Sequence, residues 1–329
     1  IYHFCINIVM ASLKETWCTP HLISDPFGHL HCVHTPLISW ITNLPEQLLI
    51  SCMSVKHSPI STSNSRHFGN PTPQPICSQE LTLNTIEKVC SLVNANKINL
   101  FHKKCKTMHL NGVTEPFWRD WGMADPSIFL TPDALHNWHK FYYDHVLKWV
   151  INIIGGPELD LRLSALQPRV GVHHWSQGIS QIKQCTGREH CELKKVLIAV
   201  SAGAVSNDAL CALRAITDFI FLAQSLLHTG KIMHTMNEAL RQFYHYKGSI
   251  FQAGGQRGAK KNLLKHFEIP KLELMHHVEW SIKLLGAPFQ WTSDITERCH
   301  ITLVKTPYRG SNHRDFHGQC CRFLDRQEK

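Results

Sequence analysis

The stretch that most constrains the fold is 116–149, PFWRDWGMADPSIFLTPDALHNWHKFYYDHVLKW, which reads as a short strand, a sharp turn and a long helix. Ser127 to Leu130 is an apolar run closed by Pro126 and Pro132, the length of one buried strand and too short for a helix. Thr131 has the chemistry of an N-cap. Pro132 suits the first helical position, and Asp133 falls in the first turn, where the helix dipole favours negative charge. Beyond it Leu135, Trp138, Tyr142, Val146, Trp149 and Ile153 recur at three- and four-residue steps, which predicts one buried helix face. Gly155 and Gly156 end that helix, and Pro157 blocks its continuation. Asp133 and His136 stand off the stripe one turn apart, so their side chains can converge on a single site. A capped helix with a half-exposed histidine has the same signature.

Around this stretch the totals are those of a globular chain: 329 residues and 43% hydrophobic composition suffice for one large or two ordinary domains. No apolar run reaches the ~18 residues that a transmembrane helix needs. Position 1 is Ile, so the chain is expected to start in mid-gene. Its thirteen cysteines are odd in number, scattered and never arranged as CxxC, a pattern of reduced thiols in an intracellular protein. A net charge of +9 predicts an anionic partner, nucleic acid before others, although most Lys and Arg are dispersed. The small basic clusters are Lys103-Lys104, Arg257 to Lys261 and Arg322 to Arg326. Neither a Gly-rich phosphate loop ending in Lys and Ser or Thr nor a G-x-S-x-G elbow occurs, which removes the NTPase and α/β-hydrolase readings.

In chain order, Ile1 to Trp17 has helical character, and 1–22 is left as an uncertain N-terminal segment. From Gly28 the text predicts an alternating strand, a short helix from Pro36 and a buried strand from Gln47 to Met53. Ser58 to Gln79, rich in Pro, Ser, Asn and Thr, reads as a long surface loop. Leu83 to Ala95 and Ile98 to Leu110 read as packing helices. After Gly156 helices dominate: Thr186 with Glu189 forms a capping box ahead of Leu193 to Val200, Ser206 caps a run to Leu227, and Lys231 to Gln252 and Leu272 to Leu285 follow. Phe289 to Trp291 reads as a brief strand, Ser293 or Asp294 starts a helix containing Glu297, and His313 to Lys329 forms a polar helix.

Asp133 and Glu297 thus each follow a short strand-like segment at a helix start, with mainly helical sequence between them. Carboxylates converging from separate elements can hold two divalent metals ~4 Å apart for phosphodiester chemistry, and Mg²⁺ prefers such oxygen ligands. Asp294-x-x-Glu297 is equally a capping box. His313, His317 and Cys320 or Cys321, with Cys299 and His300, have spacings open to zinc, though exposed or buried ordinary side chains explain them as well.

The blocks PLISWITNLPEQLLISC, PFWRDWGMADPSIFLTPDALHNWHKFYYDHVLKW, GVHHWSQGISQIKQCTGREH, HFEIPKLELMHHVEW and GAPFQWTSDITERCHI, in this order from Ile23 onward, resemble the Plavaka transposases of fungal mobile elements, which are similar to the CACTA group. The resemblance implies an α/β ribonuclease H-like core with a large, mainly α-helical insertion, an acidic triad with Mg²⁺, cut-and-paste DNA transposition and a nuclear location. It divides the chain into a partial core over 23–132, a helical insertion over 133–285 and a C-terminal core segment over 286–329. Asp133 and His136 resemble the Asp-x-x-His string of such enzymes, and Glu297 the final acid, so Asp133 and Glu297 are the implied metal ligands. Asp125, Asp120 and Asp144 remain alternatives for the middle acid and Asp294 for the last. The family's first acid lies on an early strand, and no such Asp occurs in 1–23. The expectation is therefore a transposase-derived chain, catalytically incomplete alone, with DNA as its partner. The alternative is a non-enzymatic helical remnant that binds nucleic acid or protein.

Overall fold

Two apolar cores, meeting where 130 passes into 134, organise the computed structural model, which describes residues 1–182 and 187–328. The chain is mostly helical, as its composition of periodic stretches predicts. The first lobe comprises α1 (Tyr2–Val9), α2 (Ala11–Cys18), the hairpin β1 (His21–Ser24) and β2 (Leu30–Val33), α3 (Leu44–Ile50), α4 (Gln79–Leu92), α5 (Ile98–Thr107) and α6 (Pro126–Phe129). Its core gathers Ile50, Val89, Phe101, Phe117, Trp118, Phe129 and Leu130. The antiparallel pair β1–β2 is the one sheet among the described residues, and both strands lie largely exposed.

Two strands expected in this lobe are helices. Gln47 to Met53 falls in α3 and the turn after it, because Asn43 caps the Glu46 N–H, Pro45 sits in the first turn, and Gln47 and Ile50 bury together one turn apart. The expected helix at Pro36 is displaced to that same cap. Ser127 to Leu130 winds into α6, since the Asp125 carboxylate accepts from both the Ser127 N–H (2.9 Å) and its hydroxyl (2.7 Å). Only Leu130 keeps strand character, in a parallel bridge with Trp40 whose N–H donates to the Phe129 carbonyl at 2.8 Å.

The stretch 58–79 is irregular as expected but only partly at the surface: Arg66 and 71–73 are exposed while three of its serines and two apolar side chains point inward. Ser58, Ile60, Ser61, Ser63 and Phe68 are fully buried, and the loop is tied to the second lobe. Ser61 Oγ donates to Glu273, Lys247 Nζ to the Gly69 carbonyl, and the His276 ring nitrogen lies 3.1 Å from the Asn70 carbonyl. The polarity of its residues serves these internal bonds.

The second lobe is built on α7, continuous over 134–154, in which Leu135–His139 and Tyr142–Leu147 are π-wound and Lys148–Ile154 is α-helical. Trp138, Tyr142, Val146 and Trp149 are buried as their spacing predicts, each apolar side chain of this size contributing about 1.5–3 kcal/mol. Gly155, at φ +94°, turns the chain into α8 (Gly156–Ser164). Around α7 pack α9 (Gly187–Ser201), α10 (Asn207–Ala223), α11 (Gly230–Tyr246), α12 (Gly248–Gln252), α13 (Pro270–Met275) and α14 (Val278–Leu285). Ser206 caps α10 through the Ala209 N–H. The capping box expected at Thr186 lies outside the described residues.

Phe289 to Trp291 is a 3₁₀ turn (Pro288–Gln290) in place of the expected strand, because Pro288 fixes the first position and Trp291 Nε1 folds back to the Gly286 carbonyl at 3.0 Å. Beyond it α15 (Ser293–Cys299) runs through 300–305 into α16 (Thr306–Arg309), and α17 (Phe316–Gln327) follows. From Asp294 onward the chain is largely exposed, with Ile295, Ile301, Leu303 and Val304 all open to solvent.

Candidate functional site

Asp133 begins α7 as its cap. Its carbonyl accepts from the Asn137 N–H (2.9 Å) and its Oδ2 from the His136 N–H (2.9 Å), so the capping role expected of Thr131 falls two residues later. The physical cause is that the Thr131 carbonyl is taken by Gln47 Nε2 at 2.7 Å, which holds 131–132 extended. Asp133 then reaches across to α15: Oδ1 accepts from the Ser293 N–H (2.7 Å) and Oδ2 from the Ser293 hydroxyl (2.8 Å). One carboxylate thus caps its own helix and satisfies the first N–H of a second one.

His136 completes the connection. Its Nδ1 hydrogen-bonds Asp133 Oδ2 at 2.6 Å, and its Nε2 pairs with Glu297 Oε1 at 3.0 Å. Ionised carboxylate oxygens only accept, so the two acids favour the doubly protonated, positive form of the ring that stands between them. The structure therefore brings together all three residues singled out in sequence, Asp133, His136 and Glu297, and adds Ser293, which sequence reasoning missed. Its signal in the sequence was its place at the expected helix start, which the structure gives to α15 after the Thr292 cap.

Electrostatics follow the contacts. Burial alone would raise the Asp133 carboxyl, but bonds from His136 and Ser293 outweigh it and hold it below the usual 3.8. The hydrogen bond to Asp133 raises the His136 imidazole above 6.5 against the opposing effect of burial. Asp294 next to them is pushed up, first by burial and then by the charges of Asp133 and Glu297. By linkage, a depressed carboxyl stabilises the fold above its unfolded value and a raised imidazole stabilises it below its own. Stability from this cluster is therefore fullest between pH 3.8 and 6.5, and is lost as pH falls through the Asp133 value or rises through that of His136. Thermal melts across pH are expected to show an alkaline decline that His136→Gln removes; an unchanged decline in that variant would disprove the charged clamp.

The cluster does not fit a metal held between Asp133 and Glu297. Asp133 is 1% exposed, its two oxygens accept four hydrogen bonds, and the positive His136 ring stands between the two acids. Among the described residues no three His, Cys, Asp or Glu side chains group as metal ligands. The alternative acids are engaged elsewhere: Asp125 caps α6, Asp120 pairs with Lys14, and Asp144 lies 3.6 Å from Lys140 and 3.5 Å from Lys271. At the C-terminus the His313 ring packs on Tyr308 and the His317 ring stacks on Phe316, while Cys299 is exposed.

A second polar cluster lies on the inner side of α7. Lys194 is 2% exposed, contacts His139 Nδ1 and is pushed down to about 8 by burial; Cys191 Sγ lies 3.7 Å from the same ring. Both side chains come from α9, in a helix whose sequence drew attention only for its cap.

Residues 1–150, less than half of the chain, match the family model of the Plavaka transposases, and over that stretch the chain is similar to this family. The match takes in 1–22, Asp133 and His136, while Glu297 and the three later blocks of resemblance lie beyond it. No curated protein and no solved structure matches the chain.

Proposed function

We propose that this transposase-derived chain binds DNA without cutting it in the state described, its acidic cluster serving as a clamp between the two helix starts. The observation that carries the reading is the Asp133 carboxylate, buried and bonded to four donors, which leaves no lone pair directed at a metal. In this reading the first lobe is a remnant of a ribonuclease H-like core. What supports that is the hairpin β1–β2 and the parallel bridge Trp40–Leu130 placed three residues before Asp133. The Mg²⁺-dependent strand cleavage of cut-and-paste transposition would need Asp133 released from Ser293 and His136. DNA follows from the family and from the net charge of +9, and with it a nuclear site of action.

The test is to incubate the purified chain with supercoiled plasmid and Mg²⁺ or Mn²⁺, and in parallel to titrate a labelled duplex across a salt series. Binding that weakens steeply with salt, with no nicking, is expected. Metal-dependent nicking abolished by Asp133→Asn and by Glu297→Gln would overturn the clamp reading and restore the catalytic one.

A further inference from the structure

The loop over 254–265, GGQRGAKKNLLK, contains Arg257, Lys260, Lys261 and Lys265 and no Asp or Glu. It is a fixed structure despite its glycines. Gly254, at φ +76°, turns the chain off α12. The Asn152 amide donates to the Gly255 carbonyl at 2.8 Å, and Trp149 Nε1 donates to Gln256 Oε1 at 2.6 Å. Arg257 closes the hairpin from within, its Nε donating to the Gly254 carbonyl at 2.9 Å and its Nη1 to that of Lys261 at 3.3 Å. The remaining guanidinium donors are left for an outside acceptor. Lys260, Lys261 and Lys265 are exposed at and beside the tip.

Between this loop and α7 lies an open cleft of about 580 Å³, lined by Lys148, Asn152, Arg257 and Lys261 on its polar side. Its one acid, Asp144, is shared by Lys140 and Lys271. None of Lys148, Arg257, Lys260, Lys261 and Lys265 pairs with a carboxylate among the described residues. Cations without carboxylate partners, held over a cleft by a loop that is itself hydrogen-bonded to α7, are the arrangement that a chain of phosphates satisfies. They bring charge and hydrogen bonds to the backbone, and no side chain in the cleft is shaped to read a base edge.

We propose that this cleft is the site where the phosphate backbone of duplex DNA crosses the second lobe, held by Lys148, Arg257, Lys260, Lys261 and Lys265 without sequence preference. The proposal rests on the DNA-binding reading given above and names the surface that performs it. The cleft runs beside α7, the helix that Asp133 caps, so bound DNA would lie along the element that begins at the acidic cluster.

The test is fluorescence anisotropy of a labelled duplex of about thirty base pairs with the full chain over a series of salt concentrations. The triple variant Lys260→Gln, Lys261→Gln, Lys265→Gln is compared with Lys97→Gln, Lys103→Gln, Lys106→Gln, which removes the same charge from exposed positions at and on α5. Each lost phosphate contact lowers the slope of log affinity against log salt by ~0.9. The loop variant is therefore expected to lose about 2–3 from that slope and to bind at least about tenfold more weakly at low salt, with the α5 variant keeping the native slope. Both variants alter solvated side chains, and matching circular dichroism melts establish that they fold. Equal losses in the two variants, or a loss confined to the α5 variant, would overturn the cleft assignment while leaving DNA binding intact. No binding by the native chain would overturn both.

Discussion

Asp133→Ala is expected to destabilise the protein by roughly 3–5 kcal/mol, the usual cost of removing one member of a buried charge pair. The side chain is 1% exposed, and its loss removes the acceptor of four donors at once: the Ser293 N–H and hydroxyl, the His136 N–H and the His136 ring. The imidazolium would keep only Glu297, whose side chain is 53% exposed and so screened by water. The start of α7 loses its cap and the Ser293 N–H at the start of α15 loses its acceptor. Asp133→Asn should cost less, because its amide oxygen still accepts from Ser293 while the new NH₂ opposes existing donors. Urea unfolding monitored by tryptophan fluorescence reads both values. A change in Asp133→Ala below about 1 kcal/mol, the level of an ordinary exposed ion pair, would show that the carboxylate is not holding the helices.

Glu273→Ala is expected to have an effect of similar size, about 3–5 kcal/mol, with a local signature. Glu273 is 3% exposed, accepts from Ser61 Oγ, and lies 2.8 Å from His277 Nε2, itself 4% exposed. Burial would raise its carboxyl, yet the His277 bond holds it below the ordinary value. Removing it leaves the His277 ring and the Ser61 hydroxyl buried without that acceptor, and releases the loop over 58–79 from α13. Trypsin should then cleave after Arg66, an exposed position in that loop, faster than it cleaves the native chain. Mass spectrometry of the first fragments decides the matter: a native-like pattern with unaltered stability would show that the loop is held by its apolar anchors Ile60 and Phe68 alone.

These two carboxylates illustrate what was legible beforehand and what was not. The α7 stripe of Trp138, Tyr142, Val146 and Trp149 was readable because helical periodicity is local and repeats over several turns. The glycine that ends α7 and the cap at Ser206 were readable for the same reason. Short apolar runs were not: 47–53 and 127–130 have strand-like composition, and it is the Asn43 and Asp125 caps, each a single side chain placed by its surroundings, that wind them into helices. Polar composition likewise marked 58–79 as irregular but concealed that its serines face a buried glutamate from 212 positions away.

For the candidate site, sequence by itself determined the residue types and the local geometry: Asp133 and His136 three apart at a helix start, and Glu297 just inside another. Tertiary structure alone decided what the acids do in this arrangement. By bringing the Ser293 N–H and hydroxyl onto Asp133 and setting the His136 ring between it and Glu297, the fold converts two carboxylates that spacing offered as metal ligands into the two ends of a hydrogen-bonded clamp. The physical reason is that a carboxylate's role depends on which donors reach its lone pairs, and those donors come from a segment 160 residues away.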